Sequence, residues 1–283
     1  MRIIDLITIA SDHMKNKGFE NPRLEVERLL GCVLGLSRLE LYMDFERPVS
    51  SEELSRFRDL YKRRLSHEPL QHLIGTTGFR EITVKTDHRA LVPRSETELL
   101  VEIALGFLEK LPTPRVADIG TGTGVIALSI AYELPESRVV AVDISDEALA
   151  LAAENTRNLG LEDRVTLVTG NMLEALEGLE LFDAVLSNPP YIRRGLIRKL
   201  QPEVKDYDPV IALDGGNDGL DFLKAIAGGA HRFLKPSGLL LLEFGDNQAS
   251  AIREVISDTG CYSGIDIIRD LTGRERIAKA VRK

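Results

Sequence analysis

From residue 115 onward, short apolar runs alternate with helical stretches, and this alternation constrains the fold more than any other feature. "RVADIG", "RVVAVDIS", "RVTLVTG", "LFDAVLSN" and "GLLLLEFG" read as strands. "GVIALSIAYEL", "DEALALAAENTRNLG", "AIAGGAHRFL" and "ASAIREVISDTG" read as helices. Strands that are apolar throughout are buried on both faces, which requires a largely parallel sheet with helices on each side. Two further strand candidates, around "GIDIIRD" and "RERIAKAVRK", close the chain.

Such a sheet binds ligands where its first strand turns into the following helix. Here that turn is "DIGTGTG", with Gly120, Thr121, Gly122, Thr123 and Gly124. Glycines let the backbone approach a ligand and adopt positive φ. Asp143 ends the second strand, 19 residues after Gly124. A carboxylate there accepts hydrogen bonds from both hydroxyls of a ribose. A nicotinamide dinucleotide and S-adenosylmethionine both carry that ribose. The spacing differs from the dinucleotide pattern G-x-G-x-x-G, and no Lys-Ser/Thr follows, which excludes a triphosphate loop. The departure leans toward S-adenosylmethionine, which has no pyrophosphate to seat, and leaves the choice open.

The strand "LFDAVLS" ends in Asn188, Pro189, Pro190 and Tyr191. Prolines have fixed φ and no N–H, so their carbonyls remain free as acceptors on a stiff corner. Asn188 adds a side-chain oxygen, and Tyr191 adds a flat ring. Two acceptors beside a flat face suit a planar amino group on an sp² carbon, such as an Asn or Gln amide or the exocyclic amine of a base. Such nitrogens are poor nucleophiles because their lone pair is delocalised. Holding both N–H bonds and fixing the plane directs lone-pair density toward an electrophilic methyl.

Upstream, the chain changes character. "NPRLEVERLLGCVLG" places Asn21 as N-cap with Pro22 at the first helical position. "SSEELSRFRDLYKRRL" carries a capping box, Ser50 with Glu53, and Pro69 is expected to end the helical region. "FREITVKTDHRALVP" alternates like a hairpin, and Ser95 with Glu98 is expected to cap the next helix. The expected organisation is a helical domain over 1–72, a β-hairpin linker over 73–93 and an α/β domain over 94–283. Residues 1–75 hold 12 Lys+Arg and 12 Asp+Glu of the chain's 36 and 44, so the whole charge of -8 lies downstream. An acidic body is a poor general binder of phosphate backbones, and "YKRRLSH" is the best local basic strip. Asp5 and Asp12 interrupt the apolar N-terminus, which argues for an amphipathic helix over a signal peptide. No run approaches the roughly 20 apolar residues of a membrane span. Cys32 and Cys261 match no metal or redox spacing and fit reduced thiols of a cytoplasmic protein.

Taken in order, "DIGTGTG", "AVDIS", "SNPPY" and "LKPSGLLLLEFG" resemble class I S-adenosylmethionine-dependent methyltransferases, which have a Rossmann-like sheet. "EPLQHLIG", "ALVPRSETELLVE", "ALDGGNDGLDF" and "DLTGRER" narrow the resemblance to the HemK/PrmC family of protein-(glutamine) methyltransferases. That resemblance implies a substrate, the glutamine of the Gly-Gly-Gln motif of class I peptide chain release factors, methylated on its side-chain amide nitrogen. It implies that Gly120 to Gly124 wrap the cofactor, that Asp143 binds the ribose, and that Asn171 and Met172 border the adenine. Asn188 and Pro189 would hold the glutamine amide, with Pro190 and Tyr191 beside it, and no metal takes part. The N-terminal helices would grip the release factor. The family's P-R-P-E-T-E reads "PRSETE" here, with Ser95 for proline, and Asn171 stands where an acid is common. The alternatives are a DNA or RNA amino-group methyltransferase acting on a flipped base, and a non-catalytic S-adenosylmethionine-binding adaptor. The glycine-rich "LDGGNDGL" (213–220) reads as a flexible turn rather than a metal loop, and Arg94 with Glu96 as a cofactor lid or a helix-start ion pair.

Overall fold

The computed structural model describes all 283 residues, Met1–Lys283. They fall into two compact units, residues 1–76 with 201–207, and residues 77–200 with 208–283. No helix is long and apolar enough to cross a membrane.

The first unit contains α1 (Ile3–Asn16), α2 (Pro22–Leu34), α3 (Arg38–Met43), α4 (Ser51–Leu65) and α5 (Leu70–Ile74). Ile3, Ile7, Ala10 and Met14 recur every three or four residues, so one face of α1 is buried, against Leu29, Leu30 and Phe57. The capping box at Ser50 forms: its hydroxyl accepts from the Glu53 N–H at 3.2 Å, and Glu53 accepts from the Ser50 N–H at 2.8 Å. Asn21 does stand at the N-cap of α2, but its side chain makes no capping bond. Pro69 begins a helix instead of ending the helical region, since α5 follows it directly. Fixed φ and a missing N–H cost nothing at a helix start. Buried Arg64 pairs with Glu25 and Glu203 and lies over the Phe19 ring. Through Glu203, the short helix α9 (Pro202–Lys205) belongs with these helices, although its place in the sequence lies within the α/β region.

A hairpin, β1 (Thr76–Phe79) and β2 (Ile82–Lys85), turned at Arg80 with φ 48, leads into the second unit. Next come α6 (Glu96–Leu108), β3 (Arg115–Ile119), α7 (Val125–Glu133), β4 (Arg138–Asp143), α8 (Asp146–Asn158), β5 (Val165–Thr169) and β6 (Phe182–Ser187). The unit ends with α10 (Asp221–Gly229), β7 (Leu234–Glu243), α11 (Ala249–Asp258), β8 (Tyr262–Arg269) and β9 (Glu275–Arg282). One seven-stranded sheet results, in the order β5-β4-β3-β6-β7-β9-β8. It is parallel except for β9, which runs antiparallel to both neighbours.

Strand parity sorts the core. Val116, Ala184, Leu186, Leu239 and Leu241 pack under α6 and α7, whereas Ala117, Val185, Leu240 and Leu242 pack under α10 and α11. Side chains alternate with period two, so Asp118, Asn188 and Glu243 continue the α6 side. The cap expected at Ser95 does not form. Ser95 has helical backbone angles (φ -61, ψ -30), so its hydroxyl turns to Glu96, and Glu98 instead accepts the Arg80 N–H at 3.2 Å.

Candidate active site

β3 and β6 are parallel neighbours, with Ile119 opposite Ser187. The buried Ser187 hydroxyl donates to the Ile119 carbonyl at 2.6 Å and pins the two strand ends together. The chain continues to one side after β3 and to the other after β6, which leaves a crevice at their carboxyl ends. A cavity of about 270 Å³ fills it. Its walls include Gly120, Thr121, Gly122, Thr123, Asp143, Asn171, Met172, Asn188, Pro189 and Pro190. Of the residues expected at the site, Gly124 and Tyr191 lie outside these walls.

The glycine loop is held from below and from the side. Gly120, Gly122 and Gly124 all have positive φ, between 57 and 89. Asp143 accepts the Gly122 N–H at 2.9 Å on one carboxylate oxygen and the Ser145 N–H at 3.0 Å on the other. Each oxygen keeps a second lone pair. Asp118, fully buried beneath the loop, accepts from the Thr121 hydroxyl at 2.6 Å and the Ala127 N–H at 3.3 Å. Its other oxygen has no partner. Burial pushes its pKa up to about 7, against the pull of these two donors.

Gly124 has a packing role. A Cβ there would lie 3.0 Å from a Leu128 methyl and 3.4 Å from Ala152, at a φ of 89 that L-residues resist. Gly124→Ala is expected to lower stability by about 1–2 kcal/mol, seen as a lower midpoint in denaturant. A midpoint equal to that of the unmodified protein would contradict this packing role.

The far wall comes from the ends of β4 and β5. Ile144, more than half exposed, offers an apolar face next to Asp143. Met172 has φ 48, an uncommon conformation for a non-glycine residue, and follows Asn171, whose amide lies 3.5 Å from Glu174.

At the Asn188 corner, a chain of hydrogen bonds leads out of the cavity. The Asn188 Nδ2 donates to the Thr97 hydroxyl at 3.0 Å, and that hydroxyl donates to Glu243 Oε2 at 2.7 Å. Thr97 has a single hydroxyl proton. Once it goes to Glu243, the threonine oxygen can only accept, so Asn188 must present its NH₂ there. Its Oδ1 takes no hydrogen bond from the chain, nor does the Pro189 carbonyl take one from the backbone. Glu243 is 1% exposed, and burial, with neighbouring Glu96, pushes its pKa up to about 7 against Thr97 and Arg276.

The corner is braced from behind. The Tyr191 ring lies against Gly245, where a Cβ would come within 2.9 Å of it, and its hydroxyl is 3.5 Å from Glu243. Burial, with Glu243 nearby, pushes the Tyr191 pKa up. Gln248 donates to the Tyr191 and Gly219 carbonyls, both at 3.0 Å, and accepts the Gly245 N–H at 2.8 Å. The 213–220 segment packs against the chain that follows the corner. Ile192 exchanges backbone hydrogen bonds with Leu213 and Gly215, and a Cβ on Gly215 would lie 2.8 Å from the Pro190 oxygen. The glycines there permit close backbone approach.

Several wall residues carried no signal in the sequence: Arg89 to Leu91, Pro93, Thr97, Pro209, Ile211 and Ala212. The segment assigned to a linker thus supplies one side of the cavity. Arg94 also lines it and pairs with Asp208 at 2.7 Å rather than with Glu96. Arg89 pairs with Asp87 and Glu154. Both arginines in the wall are paired with carboxylates. A ribose acceptor, apolar walls and unpaired carbonyls suit the cationic, phosphate-free S-adenosylmethionine.

Comparison with known proteins agrees. Residues 5–75 match the family model described as PrmC N-terminal domain, and residues 96–201 match the methyltransferase small domain. A release factor glutamine methyltransferase of Geobacter sulfurreducens is 43% identical over 258 residues, which span 90% of this chain and 89% of the relative. One from Moorella thermoacetica is 42% identical, over 94% of this chain and 93% of the relative. Among solved structures, a methyltransferase from Pyrococcus furiosus shares the fold with a TM-score of 0.52 at 19% identity, over 82% of this chain and 98% of that one. With sequence, sheet order and cavity in agreement, the chain belongs to the release factor glutamine methyltransferase family, whose members use S-adenosylmethionine.

Proposed function

We propose that this chain transfers the methyl group of S-adenosylmethionine to the side-chain amide nitrogen of the glutamine in the Gly-Gly-Gln motif of class I release factors. One observation carries the reading: Asn188 and Pro189 line the same cavity as the glycine loop and Asp143. The names of the relatives favour a glutamine amide over a flipped base. In this reading Asp143 binds the ribose hydroxyls, Gly120 to Thr123 border the methionine and ribose portion, and Asn171 and Met172 border the adenine. The helical unit grips the release factor.

S-adenosylmethionine, when bound, supplies an electrophilic methyl on a sulfonium sulfur. Asn188 Oδ1 and the Pro189 carbonyl each accept one N–H of the glutamine amide and fix its plane. Positive charge gathers on that nitrogen as the new bond forms, so both acceptors bind the transition state more strongly than the ground state. Leu91, Pro93, Ile211 and Ala212 keep the walls apolar, which strengthens those contacts. No general base is needed, because an N-methylated, protonated amide loses its proton readily to water. Methyl transfer from a sulfonium needs no metal. Incubation with tritiated S-adenosylmethionine is expected to label a class I release factor and to leave its Gly-Gly-Ala variant unlabelled. Equal labelling of the two would contradict the reading.

A further inference from the structure

We infer that Thr97 and Glu243 are positioning residues for Asn188: Thr97 fixes which end of the amide faces the substrate, and Glu243 acts through the Thr97 hydroxyl to set the charge behind it. The inference rests on the reading of Asn188 as the clamp for the substrate amide.

The geometry forms a line with one direction. Asn188 Nδ2 donates to Thr97 Oγ1 at 3.0 Å, and Thr97 donates to Glu243 Oε2 at 2.7 Å. Thr97 is 3% exposed and Glu243 1%, so the bond between them is shielded from bulk water. An unrestrained asparagine amide can turn over, which would present NH₂ donors to a substrate NH₂ and lose one acceptor. The line prevents this. An ionised carboxylate at its end polarises the Asn188 amide, so Oδ1 becomes more negative where cationic charge develops on the substrate nitrogen.

A carboxylate at the end of an apolar strand would be an odd choice for packing alone. Glu243 follows Leu239 to Leu242, all fully buried, and its removal from water is only partly offset. The groups facing it are Thr97 and Glu96 of α6, Tyr191 behind the corner, and Arg276 of β9. Arg276 offsets the burial of Glu243 only in part, because that guanidinium is bound to Asp246 at 2.8 Å and lies 3.5 Å from Asp270. Burial pushes the Glu243 pKa up to about 7. The sign follows. Below that pH the carboxyl is protonated and no longer needs the Thr97 proton, so the lock on Asn188 loosens. Above it, the ionised form accepts that proton and the lock closes. Activity is expected to rise with pH through about 7.

The test compares the unmodified protein with Thr97→Val, Thr97→Ser and Glu243→Gln in two measurements. The first is methyl transfer to a release factor across pH 6–9, with S-adenosylmethionine affinity measured alongside. Thr97→Val is expected to lower kcat about 10- to 100-fold, with cofactor Kd within about 2-fold, and Thr97→Ser to restore most of it. Glu243→Gln is expected to lower kcat and to abolish the limb near pH 7. The second measurement is NMR of the Asn188 side-chain NH₂ in the cofactor-free protein, identified by its loss in Asn188→Ala. Its resonances are expected to titrate near pH 7 in the unmodified protein and to be flat in Glu243→Gln. An active unmodified protein with Thr97→Val equally fast, or an Asn188 signal that ignores pH, would overturn the inference. An unmodified protein that labels no release factor while the Asn188 signal titrates would count against the substrate reading instead.

Discussion

Asn188→Ala is expected to lower kcat by about 10²-fold or more while the Kd for S-adenosylmethionine stays within about 2-fold. The asymmetry comes from where the side chain points. Its NH₂ is bound to Thr97, and its Oδ1 takes no bond from the chain. What alanine removes is an acceptor for the substrate, used most when positive charge reaches the nitrogen. An interaction made mainly in the transition state appears in kcat, whereas loss of uniform binding appears in KM. Steady-state kinetics with a release factor, together with calorimetry of cofactor binding, separate the two. Unchanged kcat would remove Asn188 from the chemistry.

Asp143→Ala is expected to act in the opposite way, raising the cofactor Kd by about 10²-fold or more. Hydrogen bonds to a charged group contribute about 1.5–3 kcal/mol each, two are available to the ribose, and each 1.4 kcal/mol is tenfold. The substitution also releases the Gly122 and Ser145 N–H groups that Asp143 holds at 2.9 and 3.0 Å, so the glycine loop loses its lateral support. At saturating cofactor, kcat should fall far less than Kd rises. Calorimetry on the folded variant, checked by circular dichroism, reads this directly, and an unchanged Kd would show that the ribose is held elsewhere.

How far the sequence foretold the site differs from residue to residue, for physical reasons. Gly120, Asp143, Asn188 and Pro189 were legible because each sits at a strand end, where the continuous apolar runs stop and a ligand can lie. The strands were legible for the same reason. Thr97 and Glu243 were not. Each is one polar residue in a helix start or a strand end, and only the parity of β6 and β7 under the first turn of α6 brings them together. Residues 89–93 looked like the end of a hairpin because alternation is a local signal, whereas cavity walls are assembled by tertiary packing. Tyr191 was expected beside the substrate amide. Its ring lies against Gly245, and Tyr191 is not among the residues that line the cavity. The 213–220 glycines read as a flexible turn, and their close backbone contact behind the corner was not legible in the sequence.

Tandem mass spectrometry of a class I release factor, after incubation with this protein and S-adenosylmethionine, tests the whole account most directly. A single added methyl on the amide nitrogen of the Gly-Gly-Gln glutamine, absent when Asn188→Ala replaces the unmodified protein, is the predicted result. A methyl on any other residue, or full modification by the Asn188→Ala variant, would contradict it.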